Sequence, residues 1–188
     1  MKKTFYYLLL LFPLWGLGGL LVSCNNDDNN SQNPIDLLPP MTTTGENTIG
    51  CLVNGEPFTD SGLMNNFYQF VNGEYFLAIN MQRGFSNDFE DASISIRRIE
   101  VHEGETYILN NNSIQNDFTG GSAGYVFSNS IESGEFETNQ NYFGSITFTR
   151  FDTQNQIMSG TFEFQAEEIT TGEIINITNG RFDLTFTN

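Results

Sequence analysis

Thr161-Phe162-Glu163-Phe164-Gln165-Ala166 and Arg181-Phe182-Asp183-Leu184-Thr185-Phe186-Thr187 are the stretches whose reading decides the fold. In both, large apolar residues alternate with polar ones. Successive side chains of a strand point to opposite faces, so the phenylalanines share one face and the polar groups the other. A helix would scatter the same residues around its axis. The two stretches therefore read as half-buried strands. Further candidate strands are 48–53, 66–71, 74–82, 92–101, 106–109, 124–129, 134–138, 142–151 and 173–178. Within 92–101 the apolar phase slips at Arg97-Arg98, between the pairs Ile94, Ile96 and Ile99, Val101, which a bulge would absorb.

Asn-Gly pairs at Asn54-Gly55, Asn72-Gly73 and Asn179-Gly180 tolerate the positive φ of tight hairpins, so neighbouring strands are expected to pair antiparallel. No stretch after Cys24 sustains a helical period. The expectation is a single all-β domain over residues 48–188, an antiparallel meander forming a β-sandwich. A lipocalin-like up-and-down barrel, which can enclose a small apolar ligand, is the alternative. A unit of about 140 residues buries enough surface for a core without disulfides, so Cys51 is read as a buried free thiol.

The N-terminus has a different character. Met1-Lys2-Lys3 precedes an apolar run from Phe5 to Val22, the pattern of an export signal. The run ends in Leu21-Val22-Ser23-Cys24, which resembles a bacterial lipobox. Residues 1–23 would then be a lipoprotein signal peptide, and Cys24 the first mature residue, carrying fatty acyl chains such as palmitate. An uncleaved membrane helix competes with this reading, but Pro13 and the glycines at 16, 18 and 19 weaken it. Asn25-Asn26-Asp27-Asp28 follows at once and is similar to acidic signals that send lipoproteins to the cell surface. The periplasmic face of the outer membrane is the alternative address. Residues 24–47, rich in Asn, Asp, Ser, Pro and Thr, read as the lipidated cysteine and a flexible tether.

Two motifs flank the domain. Leu38-Pro39-Pro40-Met41-Thr42-Thr43-Thr44-Gly45-Glu46-Asn47-Thr48-Ile49-Gly50-Cys51-Leu52-Val53-Asn54-Gly55 opens it. Ser159-Gly160-Thr161-Phe162-Glu163-Phe164, then Ile177-Thr178-Asn179-Gly180-Arg181-Phe182-Asp183, closes it. Together they resemble a Bacteroidota lipoprotein family of unknown function, whose domain opens LPPxTxTGxNTFGCxVNG and ends GTFxF…ITxGRFD. Ile49 replaces the common Phe and Asn179 the common Asp. The resemblance implies a secreted, lipid-anchored, β-rich domain and transfers no catalytic residue.

Charge narrows the partners. The 188 residues carry seven basic against 23 acidic side chains, a formal net charge of −16. Both lysines precede Cys24, so the mature chain would keep five arginines against the 23 acids, a net −18. Such a surface repels phosphate backbones, and nucleic-acid binding is disfavoured.

Candidate sites are few. Asn87-Asp88-Phe89-Glu90-Asp91 groups oxygen ligands in an expected loop, making Asp88, Glu90 and Asp91 weak candidates for calcium, although the spacing matches no calcium-loop motif. His102, the sole histidine, lies among Glu100, Glu103 and Glu105, as in a general acid/base cluster. An acidic hairpin turn explains those residues as well. Glu167-Glu168, as neighbours on a strand, point to opposite faces and cannot converge on one bond. Tyr68, Tyr75, Tyr125 and Tyr142 form a weak case for a sugar-stacking surface, because no tryptophan follows Cys24. The reading is a non-catalytic outer-membrane lipoprotein, needing no cofactor, that presents a β-rich domain to a protein or glycan partner. A lipocalin-like carrier comes next, and a carboxylate-based hydrolase last.

Overall fold

The computed structural model describes residues 33–60, 65–86, 88–115 and 117–188. The proposed signal segment, Cys24 and the start of the tether lie outside them. The described chain is all-β, with strands β1 (Thr48–Val53), β2 (Glu56–Asp60), β3 (Phe67–Val71), β4 (Glu74–Phe85), β5 (Asp88–Arg97), β6 (Thr106–Asn111), β7 (Gly120–Ser128), β8 (Ser133–Glu137), β9 (Gly144–Asp152), β10 (Ile157–Glu168) and β11 (Ile174–Thr185). They form one mixed sheet in the order β2-β1-β11-β10-β9-β6-β7-β5-β4-β3, with β8 bridging β10 and β7.

Neighbour-to-neighbour pairing, as in a meander, holds for β1–β2, β3–β4–β5, β7–β8 and β9–β10–β11. It breaks where β11 returns to β1, where β5 pairs β7, and where β6 lies parallel to β7. That parallel pair corrects the expectation of antiparallel pairing throughout. The sheet curls until its edges meet it again. At one edge the amides of Tyr68 and Thr187 bond Thr187 and Asn66 carbonyls at 2.9 and 3.0 Å. At the other the Gln82 amide donates to Asp60 Oδ2 at 3.0 Å, and Arg83 Nη1 to the Pro57 carbonyl at 2.9 Å.

Alternation sets the core. Phe162, Phe164 and Ala166 of β10 meet Ile175, Ile177, Phe182 and Leu184 of β11 on the inner face, and all are buried. Phe58, Phe148, Met158, Ile96 and Leu109 fill the interior between them. Glycines admit these rings: a Cβ on Gly180 would stand 2.6 Å from the Phe162 ring, and one on Gly160 would stand 2.8 Å from the Phe182 ring.

Asn54-Gly55 and Asn72-Gly73 form two-residue hairpins with positive φ at both positions. Asn179-Gly180 does not turn the chain. It lies inside β11, with Asn179 at φ 55°. The register jumps there against both neighbours, from Phe162↔Gly180 to Phe164↔Ile177 on β10 and from Gly50↔Arg181 to Leu52↔Thr178 on β1. The left-handed residue that would serve a hairpin here serves a bulge. The phase slip at Arg97-Arg98 is resolved differently from expectation. β5 ends at Arg97, and Arg98, at φ 61°, leaves the ladder while its amide bonds the Tyr75 carbonyl at 2.8 Å.

The stretch read as tether is partly folded. Residues 34–37 make a single 3-10 turn, Leu38 is buried, and 42–47 lie as a strap over the outer face of β10 and β11. Asp183, only 1% exposed, holds the strap. Its Oδ2 accepts from Thr42 Oγ1 at 2.7 Å, the Thr44 amide at 3.0 Å and the Glu46 amide at 3.2 Å. Its Oδ1 accepts from the Gly45 amide at 2.8 Å and Ser159 Oγ at 2.6 Å. Asn47 Oδ1 accepts from the Thr185 amide at 2.9 Å, and Arg150 donates to the Thr43 carbonyl. The opening and closing motifs thus meet in space. Because these backbone donors have Asp183 as their acceptor, residues 42–47 belong to the domain that the sequence reading began at Thr48.

Burial alone would raise the Asp183 carboxyl, but hydrogen bonds from Ser159, Thr42, Gly45 and Glu46 outweigh it and hold the value at about 2. The folded value is below the ordinary 3.8, so the contribution to stability is present above that pH and is lost as pH falls towards 2. Asp183→Asn is expected to lose about 2–4 kcal/mol at pH 7. In urea titrations at successive pH values, the variant should also lose part of the wild-type acid sensitivity between about pH 4 and 2.

Candidate functional site

The proposed calcium ligands are not in a loop. Asp88, Glu90 and Asp91 are the first residues of β5, drawn into the ladder by pairing with Phe85, Arg83 and Gln82. Strand alternation turns Asp91 away from the other two. Glu90 is ion-paired with Arg83. Burial, and then the nearby Asp60, raises the Asp91 carboxyl. Asn87 lies outside the described residues. Among the described residues no three His, Cys, Asp or Glu side chains converge on a point where a metal would sit.

The cluster around His102 is dispersed. Only Glu100 approaches, at 4.0 Å from His102 Nε2. Glu103 accepts from the Phe151 amide at 3.1 Å, and Glu105 from the Tyr107 hydroxyl at 2.9 Å. The four tyrosines share no surface either. Tyr68 and Tyr125 are core residues, and Tyr75 stacks on Tyr68 at 5.6 Å. Cys51 is fully buried, and burial pushes its thiol up to about 12.

Sequence reasoning missed a carboxylate pair drawn from distant strands. Glu137 on β8 stands opposite Glu167 on β10. Both are already engaged. Glu137 accepts from the Ser113 amide at 2.8 Å and hydroxyl at 2.7 Å, and Glu167 from Asn139 Nδ2 at 2.9 Å. Burial raises the Glu137 carboxyl against the lowering effect of Ser113. Its position beside Gly124, where a Cβ would fall 2.8 Å from Oε1, shows how closely it lies on the backbone of β7.

Three hollows lie along the outward face of β10. The outward residues of that strand are Thr161, Glu163, Gln165 and Glu167. A hollow of about 390 Å³ lies at the Thr161 end, with Met41 of the strap, Thr147, Asn179 and Arg181 around it. A second, of about 400 Å³, follows between Phe143, Ile108, Gln165, Asn176 and Thr178. Ser145 and Glu163 line both, so the two are adjacent along the strand and together make up the trough of this description. A third hollow, about 460 Å³, opens at Glu167 and Asn139.

The β11 bulge shapes this trough. Thr178 and Asn179 together face the single residue Glu163, and an extra residue of this kind bends and twists the strand that carries it. Around it, cross-strand pairing aligns Thr106, Thr147, Thr161 and Arg181 in a row, with the first two hydroxyls 2.8 Å apart. Gln165 Nε2 donates to Asn176 Oδ1 at 2.7 Å, leaving one amide oxygen and one amide nitrogen without a protein partner among the described residues. Glu163, at the centre, is exposed and accepts no hydrogen bond from the described residues. Arg181 Nη1 points to the Pro39 carbonyl of the strap at 3.4 Å. Phe143 and Ile108, each 52% exposed, supply an apolar wall. Chemically the trough offers donors, acceptors, the exposed Phe143 ring, one carboxylate and one guanidinium, with neither histidine nor cysteine among the residues lining it.

No family model, no curated protein and no solved structure matches the chain.

Two outcomes test this geometry. Asn179→Gly is expected to keep wild-type stability, whereas Asn179→Val should lose about 1–2 kcal/mol in urea unfolding, the cost of a β-branched residue in the left-handed region. In a Cys24→Ser background, Cys51 should resist a thiol reagent at pH 8 in the native protein and react only on unfolding, since neither access nor thiolate is provided.

Proposed function

We propose that the chain is an outer-membrane lipoprotein of the Bacteroidota type, anchored through acyl chains on Cys24, whose β-domain presents the trough along β10 as a non-catalytic binding surface. The observation that carries this reading is the contrast between the two faces of β10. The inner face is filled by Phe162, Phe164 and Ala166, and the outer face carries unpartnered hydrogen-bonding groups beside two hollows. A filled interior favours a surface partner over a carried apolar ligand. The engaged states of Glu103, Glu105, Glu137 and Glu167 favour binding over carboxylate catalysis. The lipobox and the tract after it support export, acylation and exposure on the cell surface.

Protein extracted from producing cells is expected to begin at Cys24 and to carry diacylglycerol on its sulfur by mass spectrometry. Cys24→Ser should move it out of the membrane fraction. An unmodified Cys24, or retention of residues 1–23, overturns the anchor.

A further inference from the structure

We infer that the trough along β10 binds an extended, uncharged oligosaccharide chain. The inference rests on the trough being the binding surface proposed above, and it names the ligand class. Length is the first argument. From Thr161 to Glu167 the outward stripe extends for about 20 Å, with hollows at both ends and between, so it suits a linear chain better than a compact small molecule.

Charge is the second. The first two hollows are lined by one carboxylate, Glu163, and one guanidinium, Arg181, so their formal charges cancel. A polyanion would meet Glu163 and the acidic chain around it. A polycation would meet Arg181 beside Glu163 in these two hollows, and carboxylates in series only at the third, lined by Glu137, Glu167 and Glu168. An uncharged polyhydroxylated chain meets what is there.

Hydrogen-bonding type is the third. A sugar hydroxyl both donates and accepts. The trough supplies a matched set in the free amide ends of Gln165 and Asn176, the hydroxyls of Thr147 and Thr161, and the Glu163 carboxylate. The Gln165–Asn176 bond fixes both amides before any ligand arrives, which lowers the entropy lost on binding. Phe143 stands half-exposed beside them, where the apolar C–H face of a pyranose ring can lie against its ring. It takes the part that tryptophan more often plays.

Affinity electrophoresis of the full-length protein in detergent, through native gels containing soluble α-glucan, β-glucan, mannan, xylan or the anionic polygalacturonate, tests the inference. At least one neutral polysaccharide should retard the wild type. Phe143→Ala and Gln165→Ala should each weaken that retardation about tenfold, and Phe70→Ala, an exposed aromatic away from the trough, should leave it unchanged. All four substituted proteins are compared by urea unfolding so that loss of binding is separated from loss of fold, with Thr161→Ala as the fourth and expected to weaken binding. Retardation by no neutral polysaccharide, retardation insensitive to Phe143→Ala and Gln165→Ala, or equal retardation by polygalacturonate overturns the inference. Protamine held in a Phe143-dependent manner, without any neutral polysaccharide, overturns it too but leaves the trough as a binding surface. The state of Cys24, measured on the same material, reports separately on the anchor.

Discussion

The buried carboxylate of Asp183 is the constraint on which the outer half of this structure depends. It lies on the outer face of the sheet, a place that a strand pattern assigns to solvent, and it is buried because residues 42–46 lie over it. Burying a carboxylate is costly unless its lone pairs are met. Here three backbone amides and two hydroxyls meet them, so the charge that would expel the strap holds it instead. Packing then follows from the charge. Pro39 approaches Gly50 so closely that a Cβ there would fall 2.7 Å from Pro39 Cδ, and Met41 is placed at one end of the trough.

How much of this could be read beforehand depends on the range of the interaction. The alternation in 161–166 and 182–186 identifies inner and outer faces correctly because strand period is a local property. The Asn-Gly pairs at 54 and 72 mark hairpins for the same reason. The pair at 179 has the same composition and backbone preference, yet the chain continues straight. What distinguishes it is that β1 and β10 both pair with β11 across the bulge, which is long-range information. Strand β2 escaped notice because Pro57 and the acids at its ends argue against a strand. Its place at an edge, where the missing proline N–H costs no ladder bond, removes that objection. Asp88, Glu90 and Asp91 read as a ligand loop because charge masks strand character, whereas pairing with β4 decides their backbone.

The trough was not legible as a unit for a related reason. Phe143, Glu163, Gln165 and Asn176 come from two strands and the residue just before β9, and nothing in their local sequence sets them apart. The signals that were local, such as the glutamates around His102, dispersed once each carboxylate found its own donor. Charged turn residues usually serve the backbone near them, and proximity in sequence then reports solvation rather than chemistry.

Asp183 and Glu163 make the final comparison. Both are carboxylates on the outer face, on adjacent strands, within one bulge of each other. Asp183 is surrounded by donors that belong to the chain, so its energy is already invested in closing the strap over β10 and β11. Glu163 faces a hollow in which the described residues give it no donor. The bulge beside it places Asn179 in the left-handed region, which asparagine tolerates better than other residues with a side chain. An exposed carboxylate without a protein donor is met by water, which a ligand hydroxyl can replace. The strap accounts for the first carboxylate, and the ligand proposed above, rich in hydroxyl donors, would account for the second.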